Sequence, residues 1–477
     1  MNIMYNSTVQ KLKQEVVFMN NELFNGQFKY SPYIPYDPTI NPILQGYVTH
    51  PCGGGVQPYV YTDWRDEEMS WHDSSYIHAG LNPALTYWFK GPDALKFLSE
   101  NLVNGFKKFP VGRCRHGIMV NEEGLLMSDG LLIRVGEDEF ITYWLSPYLE
   151  YAIQKGNYDI QGKDLTGDVF MFQLGGPRSL EIVEAATGED FHNLPFGGHR
   201  LSMIDGMEVR IIRIGMAGSL AYEVHGNFKD SIPVYNAILK AGQPYDIKRL
   251  GRHAYWNCHT ENGFPQFIIH FAYAWEKDKE FMKYMEDNNV AQGHYSASRS
   301  ALTGSCGPIL DSRFFNPIEL GWGPTINYNH DFVGKQALEK INNSVHREMV
   351  TLVWNPDDIL DIYRSEFEKG EPYAQMEGPE DILPSGGFEY RADKVLVDDK
   401  YVGISTGRIF SWFYREMISL AVIDPEYSAI GTEVIVLWGD PGTRQKKIRA
   451  KVNRFPYMDI DRNETLDVST IPSGLKK

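Results

Sequence analysis

Two stretches of this chain repeat the same order of signals. A strand-like run at residues 85–89 leads into Gly91-Pro-Asp-Ala-Leu-Lys-Phe-Leu, and another at 169–174 leads into Gly175-Gly-Pro-Arg-Ser-Leu-Glu-Ile-Val. In each, a turn that glycine and proline favour separates an extended run from a helical apolar period. A unit of this kind cannot cover its own apolar face, so two copies predict two related α+β units packed side by side. Residues 124–135 and 139–144 read as strands joined at Gly136-Glu-Asp, and 209–214 and 221–225 flank the small-residue segment Gly215-Met-Ala-Gly-Ser. Beyond a polar linker at about 342–348, six short β-branched runs follow, at 349–354, 394–397, 401–405, 417–422, 433–438 and 447–452. Their spacing predicts a small antiparallel barrel or sandwich.

The 477 residues suffice for about three domains. The expected division is an N-terminal helix and extended arm over 1–60, two discontinuously packed α+β domains over 61–340, a barrel over 350–465 and a tail over 466–477. Residues 1–24 include Lys11, Lys13, Glu15 and Glu22 where a signal peptide would be apolar, so they read as an amphipathic helix. Pro32, Pro35, Pro38, Pro42 and Pro51 are spaced too closely for a helix or central strand, which predicts the arm. Net charge is −16, from 46 Lys and Arg against 62 Asp and Glu. Such a balance argues against nucleic acid and anionic membrane as partners, while leaving room for a local basic pocket. Cys52, Cys114, Cys258 and Cys306 form no Cys-x-x-Cys pair, so no metal site is expected and a reducing, cytoplasmic setting is the simpler reading. No apolar run reaches the roughly 20 residues that span a bilayer. Dinucleotide, P-loop, zinc-protease and α/β-hydrolase motifs are absent.

Several segments together resemble the aminomethyltransferase family, whose founder is the T-protein of the glycine cleavage system. They are Phe89-Lys-Gly-Pro-Asp-Ala-Leu-Lys-Phe-Leu, Gly124-Leu-Leu-Met-Ser-Asp-Gly, Phe172-Gln-Leu-Gly-Gly-Pro-Arg, Tyr222-Glu-Val, Thr260-Glu-Asn-Gly and Leu320-Gly-Trp-Gly with Asp331-Phe-Val-Gly-Lys. The resemblance implies a three-part α+β ring, two related α+β domains and a C-terminal antiparallel β-barrel, with tetrahydrofolate in the central hole. Within the family, Trp64-Arg-Asp-Glu and Ala254-Tyr-Trp-Asn-Cys-His-Thr-Glu-Asn-Gly are similar to the vanillate and 3-O-methylgallate O-demethylases. That likeness implies transfer of a methyl group from a small methoxylated aromatic compound to N5 of tetrahydrofolate. A T-protein-like aminomethyltransferase, another folate-dependent demethylase (of an amine or dimethylsulfoniopropionate) and a non-catalytic folate-binding assembly factor are the alternatives. A homo-oligomer stays open.

The same resemblance implies site residues. Tyr255, six residues before Glu261, stands where the demethylases place a tyrosine at the methoxy group. A tyrosine near its ordinary pKa of about 10 matches a leaving phenol closely enough to share a proton at low cost. Gln173, Glu223 and Phe264 correspond to folate contacts. A carboxylate such as Glu223 can accept both the 2-amino and N3–H donors of a pterin. Asp129 and Glu261 are further folate candidates, although Asp129 also fits a turn or cap and Glu261 a loop-fixing role. Trp144, His78 and Arg115 are substrate-binding candidates. His116 is a further basic candidate, Trp71 and Trp88 complete a candidate aromatic wall, and His253 and His259 read as structural histidines. Pro83 and Leu145 stand where the vanillate enzymes have the histidine and arginine that help hold substrate, so either the substrate lacks a carboxylate or Arg115, His78 or His116 has taken over its binding, and a neutral or differently charged methoxyarene such as guaiacol is expected to be preferred to vanillate.

Overall fold

The computed structural model describes residues 46–49, 56–216, 218–288, 302–376 and 390–475. The helix expected over 1–24 and most of the arm lie outside the described residues. Where the arm is described, Gly46–Thr49 and Val56–Val60 pair as an antiparallel ribbon instead of running alone. Pro58 is tolerated there because a two-stranded ribbon has unpaired edges that need no N–H.

Both strand–turn–helix units form. Thr86–Lys90 leads into the helix Ala94–Asn101, and Val169–Gly175 into Ser179–Thr187. In the first helix Ala94, Phe97 and Leu98 are fully buried, the i, i+3, i+4 set that the apolar period required. Each of the larger two contributes about 1.5–3 kcal/mol by leaving water. In the second unit Gly176 makes the turn at φ +109°, where an added Cβ would lie 2.6 Å from the carbonyl oxygens of Ser70 and Ser74. Only glycine fits that approach.

Each unit is built on one sheet. The first is antiparallel in the order Arg113–Val120, Leu126–Gly136, Glu139–Tyr143, Thr86–Lys90, Gln161–Asp164. The second runs His199–Ile204, Met207–Ile212, Ala221–Asn227, Val169–Gly175, Ser75–His78, Ile247–Arg249. Its strand Ser75–His78 precedes the whole first sheet in the chain, so the two units interleave. The last pair is parallel, Ile247 opposite Ser75 and Arg249 opposite Ile77. That register delivers the next helix, Arg252–Asn262, beside the end of Ser75–His78.

The six β-branched runs close into a barrel: Glu348–Trp354, Glu416–Ile423, Lys400–Ser411, Asp393–Val397, Glu433–Trp438 and Lys446–Asn453, the last pairing with the first. Along Lys446–Asn453 the side chains Ile448, Ala450 and Val452 are buried while Lys447, Arg449 and Lys451 face out, the period of two that a half-buried strand needs. Closure leaves no open edge. The helix Arg252–Asn262 docks on this barrel through Thr260 Oγ1, which donates to the Gly407 carbonyl at 2.7 Å. The segment read as a tail packs back onto the second unit. Ser473 Oγ and the Gly474 N–H donate to Glu184 Oε2, and Val468 joins that unit's core. Among the described residues no helix is long and apolar enough to cross a membrane.

Candidate active site

A cavity of about 360 Å³ opens where the two sheets, the helix Arg252–Asn262 and the loop after it converge. His116, Asp129 and Leu131 line it from the first sheet. Met171, Gln173 and Glu223 do so from the second, Tyr255, Trp256 and His259 from the helix, and Phe264 and Tyr273 from the loop. Ten of the residues singled out from sequence therefore share one space: His78, Arg115, His116, Asp129, Trp144, Gln173, Glu223, Tyr255, His259 and Phe264.

One end of the cavity is rich in acceptors. Glu223 and Gln173 are directly opposite in the antiparallel pair Ala221–Asn227 and Val169–Gly175. Gln173 Nε2 donates to Glu223 Oε1 at 3.1 Å, and His225 Nε2 lies 2.9 Å from Glu223 Oε2. Gln173, which lines the cavity, has a buried Oε1 with no hydrogen-bond partner among the described residues. Buried acceptors without donors are costly, and a ligand edge carrying N–H groups removes the cost. The pterin edge of tetrahydrofolate, with its 2-amino and N3–H groups, has the matching chemistry.

Tyr255 occupies the helix's first turn, 4% exposed, stacked on His78 and edge-on to His259. Burial first, and Cys258 and Glu223 second, push its phenol well above the ordinary tyrosine range. The proton sharing expected from an unshifted pKa is thereby corrected: the Tyr255 hydroxyl keeps its proton and can act as a hydrogen-bond donor. Asp129 lies between two partners. Tyr273 Oη donates to its Oδ1 at 2.8 Å, and His116 Nε2 is 2.8 Å from its Oδ2. It sits mid-strand and not in a turn. Phe264 follows Gly263, which ends the helix at φ +67° with its N–H on the carbonyls of His259 and Thr260. Trp144 (φ +71°) and Ile268 (φ +78°) line the cavity in the left-handed region, where a bulky or β-branched residue is strained.

Other expectations are corrected. Glu261 is fully buried but does not line the cavity; His72 Nε2 reaches its Oε1 at 2.5 Å, with Trp71 Nε1 and Ser411 Oγ also donating to the carboxylate. It ties the helix to its neighbours, and a folate contact through this side chain is withdrawn. Arg115 lines the cavity with its guanidinium engaged by the carbonyls of Gly105 and Lys108. Of the proposed aromatic wall only Trp144 remains, because Trp71 binds Glu261 and Trp88 donates to Glu139 at 2.8 Å. His253 stacks on Trp64 away from the cavity, whereas His259 lines it. Pro83 and Leu145 are buried outside the lining. Arg252 and Arg462, which carried no sequence signal, also line the cavity. The preference against vanillate therefore no longer follows from positions 83 and 145. Trp256, Phe196 and Tyr273 were also missed, since an aromatic side chain at a cavity reads like one in a core.

A family model described as the GCVT N-terminal domain matches residues 57–270. A sesamin methylene transferase of Sinomonas sp. (strain No.22) is 44% identical, over 88% of this chain and 94% of its own. A syringate O-demethylase of Sphingobium sp. (strain NBRC 103272 / SYK-6) is 30% identical, over 86% of this chain and 92% of its own. Among solved structures, glycine cleavage system aminomethyltransferase T from Bartonella henselae superposes with a TM-score of 0.58 at 16% identity, covering 88% of this chain and 95% of that one. The chain belongs to the aminomethyltransferase (T-protein) family. It is a tetrahydrofolate-dependent transferase of one-carbon groups.

Proposed function

We propose that the chain is an O-demethylase that moves the methyl group of a methoxylated aromatic compound to tetrahydrofolate and releases the phenol. One observation carries this reading: the Tyr255 hydroxyl lines the same cavity as Glu223 and Gln173, and the buried Gln173 Oε1 has no partner among the described residues. Tetrahydrofolate, when bound, supplies N5 as the nucleophile for the methyl carbon. Glu223 and Gln173 hold the pterin edge, and Phe264 packs against it. Tyr255 donates its hydrogen bond to the ether oxygen and strengthens that bond as charge builds there on cleavage. Asp129, held by Tyr273 and His116, would take up the proton that N5 loses on transfer and pass it to solvent, and the departing phenolate takes a proton from solvent, so that the phenol and methyl-tetrahydrofolate form with no net proton change. Orientation supplies much of the rest, by making a bimolecular displacement effectively unimolecular. Among the described residues Cys114, Cys258 and Cys306 are free buried thiols, which suits a reducing cytoplasm.

A second reading is favoured by the relative named sesamin methylene transferase. A methylenedioxy ring presents the same pair of aryl ether bonds, and Tyr255 would serve either oxygen. The folate product separates the two. Incubation with tetrahydrofolate and a panel of guaiacol, vanillate, syringate and 1,2-methylenedioxybenzene, followed by mass spectrometry, should give methyl-tetrahydrofolate from the first three. Methylene-tetrahydrofolate from the last alone would favour the second reading, and no folate product from any would overturn both.

A further inference from the structure

Glu223 and His225 alternate with Tyr222 and Val224 along the strand Ala221–Asn227. Residues two apart on a strand share a face, so Tyr222 and Val224 enter the core of the second unit while Glu223 and His225 turn the other way. His225 is 4% exposed and does not line the cavity. It sits behind Glu223, with its ring 4.5 Å from that of Tyr143 in the first sheet. Its Nε2 lies 2.9 Å from Glu223 Oε2. A carboxylate oxygen only accepts, so Nε2 carries a hydrogen and donates it. Nδ1 is buried and has no hydrogen-bond partner among the described residues. A leucine or phenylalanine could fill this space without stranding a nitrogen, whereas the histidine bears that cost and makes one side-chain bond, to the carboxylate.

Glu223 thus meets a protein donor on each oxygen, Gln173 Nε2 on Oε1 and His225 Nε2 on Oε2. A carboxylate offers about four acceptor sites, shared equally by its oxygens, so each oxygen keeps a site for a ligand. The 2-amino and N3–H groups of a pterin match that pair. We propose that His225 is a positioning residue for tetrahydrofolate: it fixes the Glu223 carboxylate in the orientation that presents both remaining acceptor sites to the pterin edge. It touches neither the folate nor the reacting atoms and acts through Glu223. This rests on the placement of the pterin at Glu223 above, and it holds for a methyl or a methylene donor alike because it concerns the folate and not the ether.

Calorimetric titration of the full chain with tetrahydrofolate, beside steady-state kinetics, tests this. His225→Leu should weaken the Kd at least tenfold and raise the KM for tetrahydrofolate by more than it lowers kcat. His225→Gln, whose amide N–H can reach where Nε2 stood, should recover part of the affinity. Because His225 acts through Glu223, adding His225→Leu to Glu223→Gln should weaken binding by at most about threefold beyond Glu223→Gln alone. A role confined to packing the two sheets would instead give losses that multiply, with no recovery by His225→Gln, and either result would overturn the proposal. An unchanged Kd in His225→Leu would overturn it too, and the pterin placement would stand if Glu223→Gln still weakened binding. An unchanged Kd in both would remove that placement as well. Should thermal melts show that His225→Leu does not fold, His225→Asn, which stays polar but is too short to reach Glu223, gives the same comparisons.

Discussion

Burial keeps the proton on Tyr255, so deleting only its oxygen isolates one hydrogen bond. Tyr255→Phe should lower turnover at least tenfold, about 1.4 kcal/mol of transition-state stabilisation, with little change in tetrahydrofolate affinity. Steady-state kinetics with calorimetric folate titration check both halves, and an unchanged kcat would remove Tyr255 from the chemistry. Glu223→Gln should do the reverse: a weaker Kd for tetrahydrofolate, with kcat at saturating folate reduced less, because it holds the pterin and not the breaking bond. Equal folate affinity in mutant and wild type would contradict that role. Of the residues in this cavity, Asp129, Gln173, Glu223 and Tyr255 were legible because they sat in segments resembling a family, and His78, Arg115 and His116 only as basic side chains that could serve a substrate. Arg252 and Tyr273 were not legible, because nothing in their local pattern separates a cavity wall from packing.

The helix Trp64–Asp73 buries both Glu67 and Glu68 completely. Glu67 accepts three backbone N–H bonds, from Tyr61, Thr62 and Gly251, the last just before the helix that carries Tyr255. Glu68 accepts those of Trp412 and Phe413 at the end of a barrel strand. Burial first, and the charge of Glu261 second, raise the Glu68 pKa from 4.5 to about 8. The folded state thus holds a proton that the unfolded chain releases above 4.5, so stability is highest below that value and falls as pH rises toward 8. Glu68→Gln is neutral throughout, and its stability relative to wild type should climb between about pH 5 and pH 8 and then level off. Urea unfolding across that range measures the difference, and parallel pH profiles would contradict the assignment. The C-terminal segment depends on Arg213, 5% exposed, which donates to Asn463 Oδ1 and to the carbonyls of Asn463 and Leu466. Arg213→Met should cost about 2–4 kcal/mol in urea unfolding, since it strands buried acceptors. A loss within experimental error would mean that the segment is held elsewhere. Elements with a clear period, such as the barrel strands and the two strand–turn–helix units, were readable in the sequence. The packed C-terminal segment was not, because its contacts, polar at Glu184 and Arg213 and apolar at Val468, are long-range and leave no local pattern.

At the scale of the whole molecule, the cavity exists only when distant segments meet. Glu223 and Gln173 are brought together by strand register, and the parallel pairing of Ile247–Arg249 with Ser75–His78 carries Tyr255 to His78. A ligand that bridges such segments stabilises the fold, and tetrahydrofolate at 100 times its Kd should add about 2.7 kcal/mol, seen as a raised Tm. An unchanged melt at saturation would count against binding in this cavity. The interleaving of the two sheets was not legible, since strand order within a sheet depends on pairings that no single segment encodes. The most direct measurement follows the transferred atom: guaiacol with an isotopically labelled methoxy carbon is incubated with the chain and tetrahydrofolate, and both products are weighed by mass spectrometry. The account predicts that all the label lost from guaiacol appears as one methyl group on the folate, with one catechol formed for each. Label released as methanol or formaldehyde, or catechol formed without tetrahydrofolate, would contradict it.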